Sequence, residues 1–187
     1  MASPQGQHTR LYDAPELEHI LDDMAAALAN RLHGVAKISL VGVLRRGAPL
    51  SDGLLARLRK LLPGVDIERL DLSIKRYADD LSLLHPQTQL TEQPAHAGID
   101  LTDRVVVVVD DVLYMGFSLN KAVQYLLSKG AKTILTAVLV DRVCATLPVH
   151  ADVVGLKLQV APGQIVECHV PPFEPVFQIV LVRPAQD

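Results

Sequence analysis

The chain has 187 residues, 49% of them hydrophobic and 21% charged. That length suits one domain with a full core and would leave two domains short of buried surface. With 18 basic against 21 acidic residues, the formal net charge of -3 gives no global attraction to nucleic acid or to an anionic membrane, so any anion site must be local. The opening MASPQGQHTR is polar and lacks the basic and apolar regions of a secretory signal. Residues 1–10 are expected to be disordered at the head of a single domain spanning 1–187. No run approaches the ~18 apolar residues of a membrane span, so a cytoplasmic protein with no membrane partner is expected.

Helices and strands alternate from there. In DAPELEHILDDMAAALANRLHG, Asp13 is placed as N-cap with Glu16 three residues on and Pro15 in the first turn. Leu17, Leu21, Met24, Leu28 and Leu32 recur at helical spacing, and Gly34 ends the pattern. AKISLVGV reads as a buried strand, LRRG as a loop, and PLSDGLLARLRKLLPG as a helix stopped by Pro63 and Gly64. IERLDLSI alternates Leu70, Leu72 and Ile74 with Asp71 and Ser73, as a strand with one polar face does. Residues 78–103 are polar, contain proline and lack periodicity; a long mobile loop with room for a short hairpin is expected. The second half offers strand RVVVVVD, helix SLNKAVQYLLSKG, strand TILTAVLVD, and short strands near DVVGL, QIVECHV and VFQIVLVR. Branched apolar runs separated by helices predict an α/β fold with a doubly wound, mostly parallel sheet. Ligands of such sheets bind at the carboxyl ends of the strands.

The segment RVVVVVDDVLYMGFSLNKAV, residues 104 to 123, lies at such an end. Two carboxylates closing a buried strand are unfavourable unless they face solvent, a cation or hydrogen-bond donors. Gly116 permits a tight turn, Ser118 is placed as cap of the next helix, and the backbone N–H groups there would form a phosphate cradle. Carboxylates beside such a cradle suit the hydroxyls of a sugar phosphate or a magnesium ion next to it. The same pattern also occurs in receiver-type and Rossmann-like domains with other ligands, and Asp110 could pair with a neighbouring lysine.

Further segments narrow the choice. LVGVLRRGAPLSDGL, TAVLVDR and LPVHADVVG stand in order with the valine strand, and the chain from about residue 11 to residue 183 resembles the type I phosphoribosyltransferases. Within them it is most similar to the pyrimidine-operon attenuation regulator and uracil phosphoribosyltransferase family. The resemblance implies that Asp110 and Asp111 hold the ribose of phosphoribosyl pyrophosphate, directly or through water on Mg2+. It implies that Met115, Gly116, Phe117 and Ser118 hold the 5-phosphate, with Tyr114 close to the base. Arg46 and Gly47, with Arg45 beside them, match the pyrophosphate loop. DLSIKRYADDL resembles a loop that closes over the substrate and makes Arg76 its cation. Asp141 and Arg142 belong to the TAVLVDR motif. A nucleobase or nucleotide as second ligand, a pyrimidine above all, and a homodimer are implied in the same way.

The departures are specific. The family's phosphate turn reads Thr-Gly-Arg-Thr, whereas Met115, Phe117 and Ser118 flank Gly116 here. Tyr77 and Ala78 lengthen the segment between Arg76 and Asp79. Val143 replaces a glycine, Ala145 and Thr146 replace Arg-Glu, and GLKLQVAPGQ departs from GKNIPT. The first helix carries Asp22, Asp23, Ala26 and Ala27 where RNA-binding relatives have basic residues, which argues against RNA as a partner. Elsewhere, His19, His33 and the Arg57, Arg59, Lys60 run are read as solvated helix faces. Cys144 and Cys168 make no disulfide or zinc pattern, and adjacent Cys168 and His169 should point to opposite faces of a strand.

Overall fold

A computed structural model describes residues 6–75, 89–91 and 98–185. A six-stranded sheet carries the fold. Its strands are β2 (Lys37–Leu44), β3 (Asp66–Lys75), β4 (Gln89–Thr91), β5 (Val105–Leu113), β6 (Thr133–Asp141) and β7 (Val153–Lys157), in spatial order β4-β3-β2-β5-β6-β7. All pairs are parallel except β3 with the short β4. Helices α1 (Ala14–Arg31) and α2 (Gly47–Leu61) cover one face, and α3 (Phe117–Ser128) covers the other.

The strands read as near-continuous apolar runs because both faces are buried. In β5, Val107 and Val109 pack with α1 and α2, while Val106 and Val108 pack with α3. In β2, Ile38 and Leu40 take the first face and Val41 and Val43 the second. Extending that alternation by two residues puts Asp110 on the α3 face and Asp111 on the α2 face.

Helix α1 starts as the sequence predicts. Asp13 accepts the Glu16 N–H at 3.2 Å, and Glu16 Oε2 accepts the Asp13 N–H at 2.9 Å. That reciprocal cap satisfies two donors at the helix start and stabilises it by about 1 kcal/mol. Leu17, Leu21, Met24, Leu28 and Leu32 are all buried. The helix seats closely because Gly155 on β7 has no side chain: a Cβ there would come within 2.7 Å of the Leu139 carbonyl and 2.9 Å of Met24 Sδ.

A second sheet, of order β1-β9-β8, caps the molecule. It comprises β1 (Gly6–Tyr12), β8 (Ile165–His169) and β9 (Gln178–Pro184), all antiparallel. The short strands predicted near QIVECHV and VFQIVLVR are therefore present, as a small C-terminal hood that also recruits the N-terminus. Residues 6–10, expected to be disordered, are strand, because the exposed Gly6–Arg10 backbone finds its hydrogen-bond partners on β9. The hood joins the main core through Val166, Cys168, Ile179 and Leu181. Among the described residues no helix is long and apolar enough to cross a membrane.

Candidate functional site

The order of the sheet locates a crevice before any side chain is considered. The chain runs outward from β2 to β3 on one side and from β5 to β6 and β7 on the other, so the direction of winding reverses between β2 and β5. Loops leaving the carboxyl ends of those two strands diverge and leave a cleft, the usual ligand position in this architecture.

The loop after β2 carries Arg45 and Arg46. Gly47 follows as the first residue of α2 and lies flat on β5, where a Cβ would meet the Val109 carbonyl at 2.5 Å and Asp110 Cα at 3.2 Å. Gly42, on β2, allows a similar approach from the other side of the α2 start, since a Cβ there would come within 2.8 Å of Ala48 Cα. These two glycines bring the arginine loop against the acid pair.

Asp110 and Asp111 are half-buried, and β5 runs on past them to Leu113. Neither makes an ion pair among the described residues; Asp110 Oδ1 accepts the Asp111 N–H at 2.9 Å. Burial first, and then repulsion from Asp111, pushes the Asp110 carboxyl well above its ordinary range. Burial also raises Asp111, partly offset by the charge of Arg46. Two such groups in a cleft hold free energy that a cation or a set of donors can release. No three His, Cys, Asp or Glu side chains gather as a metal cage among the described residues. Either carboxyl, each on its own face of β5, would suit Mg2+ through water, since that ion keeps several waters and completes its shell with substrate phosphates.

The turn after β5 differs in detail from the sequence reading. Gly116, at φ 87°, is the N-cap of α3, and the helix opens at Phe117 with no side-chain cap. Ser118 is therefore the second helical residue and not the cap. A Cβ on Gly116 would strike Val149 Cγ2 at 2.3 Å, so glycine is required by both conformation and space. The loop after β6 braces this turn. The Thr146 N–H donates to the Met115 carbonyl at 3.3 Å, and Cys144 Sγ lies 3.8 Å from the Tyr114 carbonyl.

Asp141 and Arg142 form the third wall. Asp141 Oδ1 accepts the Val143 N–H at 2.8 Å, and Val143 adopts φ 52°. A β-branched residue in the left-handed region carries strain of ~1–3 kcal/mol. The buried Arg142 guanidinium lies 5.4 Å from the Tyr114 ring centre, donates to the Gln164 carbonyl at 3.2 Å, and keeps its Nε without a hydrogen-bond partner among the described residues.

The structure thus draws together Arg45, Arg46, Gly47, Asp110, Asp111, the 114–118 turn, Asp141 and Arg142. Arg76 lies outside the described residues. Two hood residues were not foreseen. Glu174 accepts from Arg46 Nη2 at 2.6 Å and Nε at 3.1 Å, and from the Val170 N–H at 2.9 Å. Phe173 stands under Arg45, 5.8 Å from ring centre to guanidinium. The only local signal was an acid in a proline-rich segment, PPFEP, between two strands. Cys168 is buried with its thiol pushed well up by burial and by Asp111, 4.0 Å from the Asp111 carbonyl; His169 instead pairs with Glu167 and Gln178. The opposite-face reading of these neighbours is borne out.

A doubly wound sheet with an acid pair, a glycine-capped helix start and an arginine loop around its reversal point places the chain among the α/β proteins that open a crevice at the carboxyl ends of their strands. The chain belongs to the phosphoribosyl transferase domain family, which matches residues 7–172. It is similar to the Bifunctional protein PyrR of Deinococcus radiodurans, 36% identical over 84% of this chain and 85% of that one. It is likewise similar to the Bifunctional protein PyrR of Clostridium acetobutylicum, 30% identical over 86% and 89%. Among solved structures, a hypoxanthine-guanine phosphoribosyltransferase from Bacillus anthracis superposes with a TM-score of 0.72 at 15% identity, covering 97% of this chain and 99% of that one. A hypoxanthine phosphoribosyltransferase from Trypanosoma cruzi in complex with the product IMP gives 0.72 at 16%, covering 98% and 94%. The type I phosphoribosyltransferase fold and the family resemblance read from the motifs are both borne out.

Proposed function

We propose that the chain binds phosphoribosyl pyrophosphate together with a nucleobase or nucleotide, a pyrimidine by its likeness to PyrR proteins, and transfers the ribose 5-phosphate to a base nitrogen. The observation that carries this reading is the acid pair near the carboxyl end of β5, without an ion pair among the described residues and set between the arginine loop and the glycine-capped start of α3. Asp110 and Asp111 accept from the ribose hydroxyls and orient the sugar, and an ionised pair stabilises positive charge developing at the reacting carbon. The N–H groups of the 115–118 turn hold the 5-phosphate at the positive end of α3. Arg46 faces the departing diphosphate, and Tyr114, backed by Arg142, offers a ring to the base. Asp110 and Asp111 would hold Mg2+ through water, and the ion would supply neutralisation of the diphosphate charge. No covalent nucleophile is needed: the bond from the sugar carbon to the diphosphate oxygen breaks as the bond to the base nitrogen forms. A homodimer in the cytoplasm goes with this reading.

A second reading is favoured by one observation. Met115 and Phe117 stand where the family places a threonine and an arginine, so the same crevice would sense a sugar phosphate or nucleotide without turnover. RNA binding has no support in the acidic, exposed Asp22 and Asp23 of α1.

The test is calorimetry with magnesium phosphoribosyl pyrophosphate on the wild type and on Asp110→Asn, Asp111→Asn. Two charge-assisted contacts at ~1.5–3 kcal/mol each predict a loss of at least about a hundredfold in the double variant, with the thermal midpoint no lower than that of the wild type. Unchanged affinity would sink the site. Turnover with a panel of bases then separates transferase from sensor.

A further inference from the structure

The Arg46 guanidinium already holds an anion. Its Nε and Nη2 both donate to Glu174, at 3.1 and 2.6 Å to Oε1, in the side-on geometry by which arginine grips carboxylates and phosphates. Both side chains are largely buried, at 16% and 18% exposure, so little solvent screens the pair. Glu174 is also fixed from behind, because Oε2 accepts the Val170 N–H at 2.9 Å. Its neighbour Phe173 lies against Arg45, which gives two consecutive hood residues contact with two consecutive loop residues.

We propose that Glu174 is a specificity determinant of this site, an internal competitor that fills the guanidinium edge a diphosphate would use, so that the crevice prefers ligands with one phosphate over those with two. The proposal rests on the reading above in setting the diphosphate at Arg46. A diphosphate must either displace the carboxylate from both donors or bind beside it, and two anions sharing a poorly solvated site repel. A 5-phosphate at the start of α3 engages a different loop and meets neither obstacle. Although partial burial works against ionisation, the bonds from Arg46 and Val170 hold the Glu174 carboxyl below its ordinary range, so the competitor is charged at neutral pH.

The experiment titrates wild type, E174Q and E174A with inorganic pyrophosphate, with magnesium pyrophosphate and with ribose 5-phosphate. Glutamine keeps an acceptor for the Val170 N–H and removes the charge; alanine provides a second removal of the carboxylate should the amide disturb the loop. The preference for ribose 5-phosphate over pyrophosphate should fall at least tenfold in both variants, through tighter pyrophosphate binding. An unchanged preference would overturn the proposal, by showing that the pair only braces the hood. Weaker magnesium pyrophosphate binding in the variants would overturn it too, by making Glu174 a partner of the metal. If ribose 5-phosphate binds none of the three proteins, the proposed function fails, and the pyrophosphate titrations still decide the role of Glu174 by their own gain or lack of gain.

Discussion

The two ends of the large sheet treat charge in opposite ways. At the amino ends of the strands, Lys37 pairs with Asp103, and Arg104 donates to Ser39 Oγ, Asp66 Oδ2 and the Ile38 carbonyl at 2.9, 2.8 and 2.7 Å. Glu68 completes that cluster at 3.5 Å from Arg104. At the carboxyl ends, two acids stand side by side without an ion pair among the described residues, and the nearby Arg46 is bound to the hood. The first arrangement satisfies every partner in place. The second leaves carboxyls whose protons are held more tightly than in water, an arrangement that favours a ligand over the empty fold.

Breaking the paired end should be felt only as stability. Arg104→Ala leaves the buried Ser39 hydroxyl and the Ile38 carbonyl without their donor, at about 2 kcal/mol for hydrogen bonds to a charged group. The thermal midpoint should fall by roughly 4–8 °C for a chain of this size, while ligand affinity measured by calorimetry stays as in the wild type. A loss of affinity as large as the loss of stability would contradict the division between the two ends.

The unpaired end can be sharpened by restoring donors. Met115→Thr with Phe117→Arg and Ser118→Thr rebuilds the Thr-Gly-Arg-Thr turn on a backbone that Gly116 still shapes. Affinity for ribose 5-phosphate should tighten about tenfold, equivalent to ~1.4 kcal/mol. No gain by titration would mean that Met115 and Phe117 wall a drier pocket for another ligand, and the sensing reading would then displace the transferase.

The smallest effect tests the acid pair through pH. Because the folded protein holds the Asp110 proton more tightly than an unfolded chain, whose carboxyl titrates near 3.8, this group contributes most below that value. Its contribution is lost as pH rises through the raised value. Asp110→Asn removes that loss, so its thermal midpoint should exceed that of the wild type at pH 8, with a smaller difference at pH 4. A difference that shrinks as pH rises would reverse the sign of the assignment.

What the sequence made legible follows from range. The Asp13 and Glu16 cap, the heptad-like leucines of α1 and the valines of β5 act over a few residues, and each appears where the pattern puts it. The crevice was legible for the same reason, since Arg46 and Asp110 each sit at a strand end that local hydrophobicity marks. Strand β1 was not, because GQHTRLY is polar and pairs only with β9, some 170 residues later in the chain. The partnership of Arg46 with Glu174 spans 128 residues and leaves no local trace. Ser118 was misplaced by a short distance: glycine at 116 turns the chain early enough for the helix to begin before the hydroxyl is reached.

Gly116 carries one more consequence. Its missing side chain is filled by Val149, and the same loop reaches Met115 through Thr146 and Tyr114 through Cys144. The turn and the 143–149 segment therefore behave as a single interlocking part. Both segments carry departures from the family pattern, Met115, Phe117 and Ser118 on one side and Val143, Ala145 and Thr146 on the other, and the joint brings Met115 and Thr146 directly together. A swap of both segments from a PyrR relative should transplant as a cassette, whereas either segment moved alone would meet a surface shaped for its old neighbour.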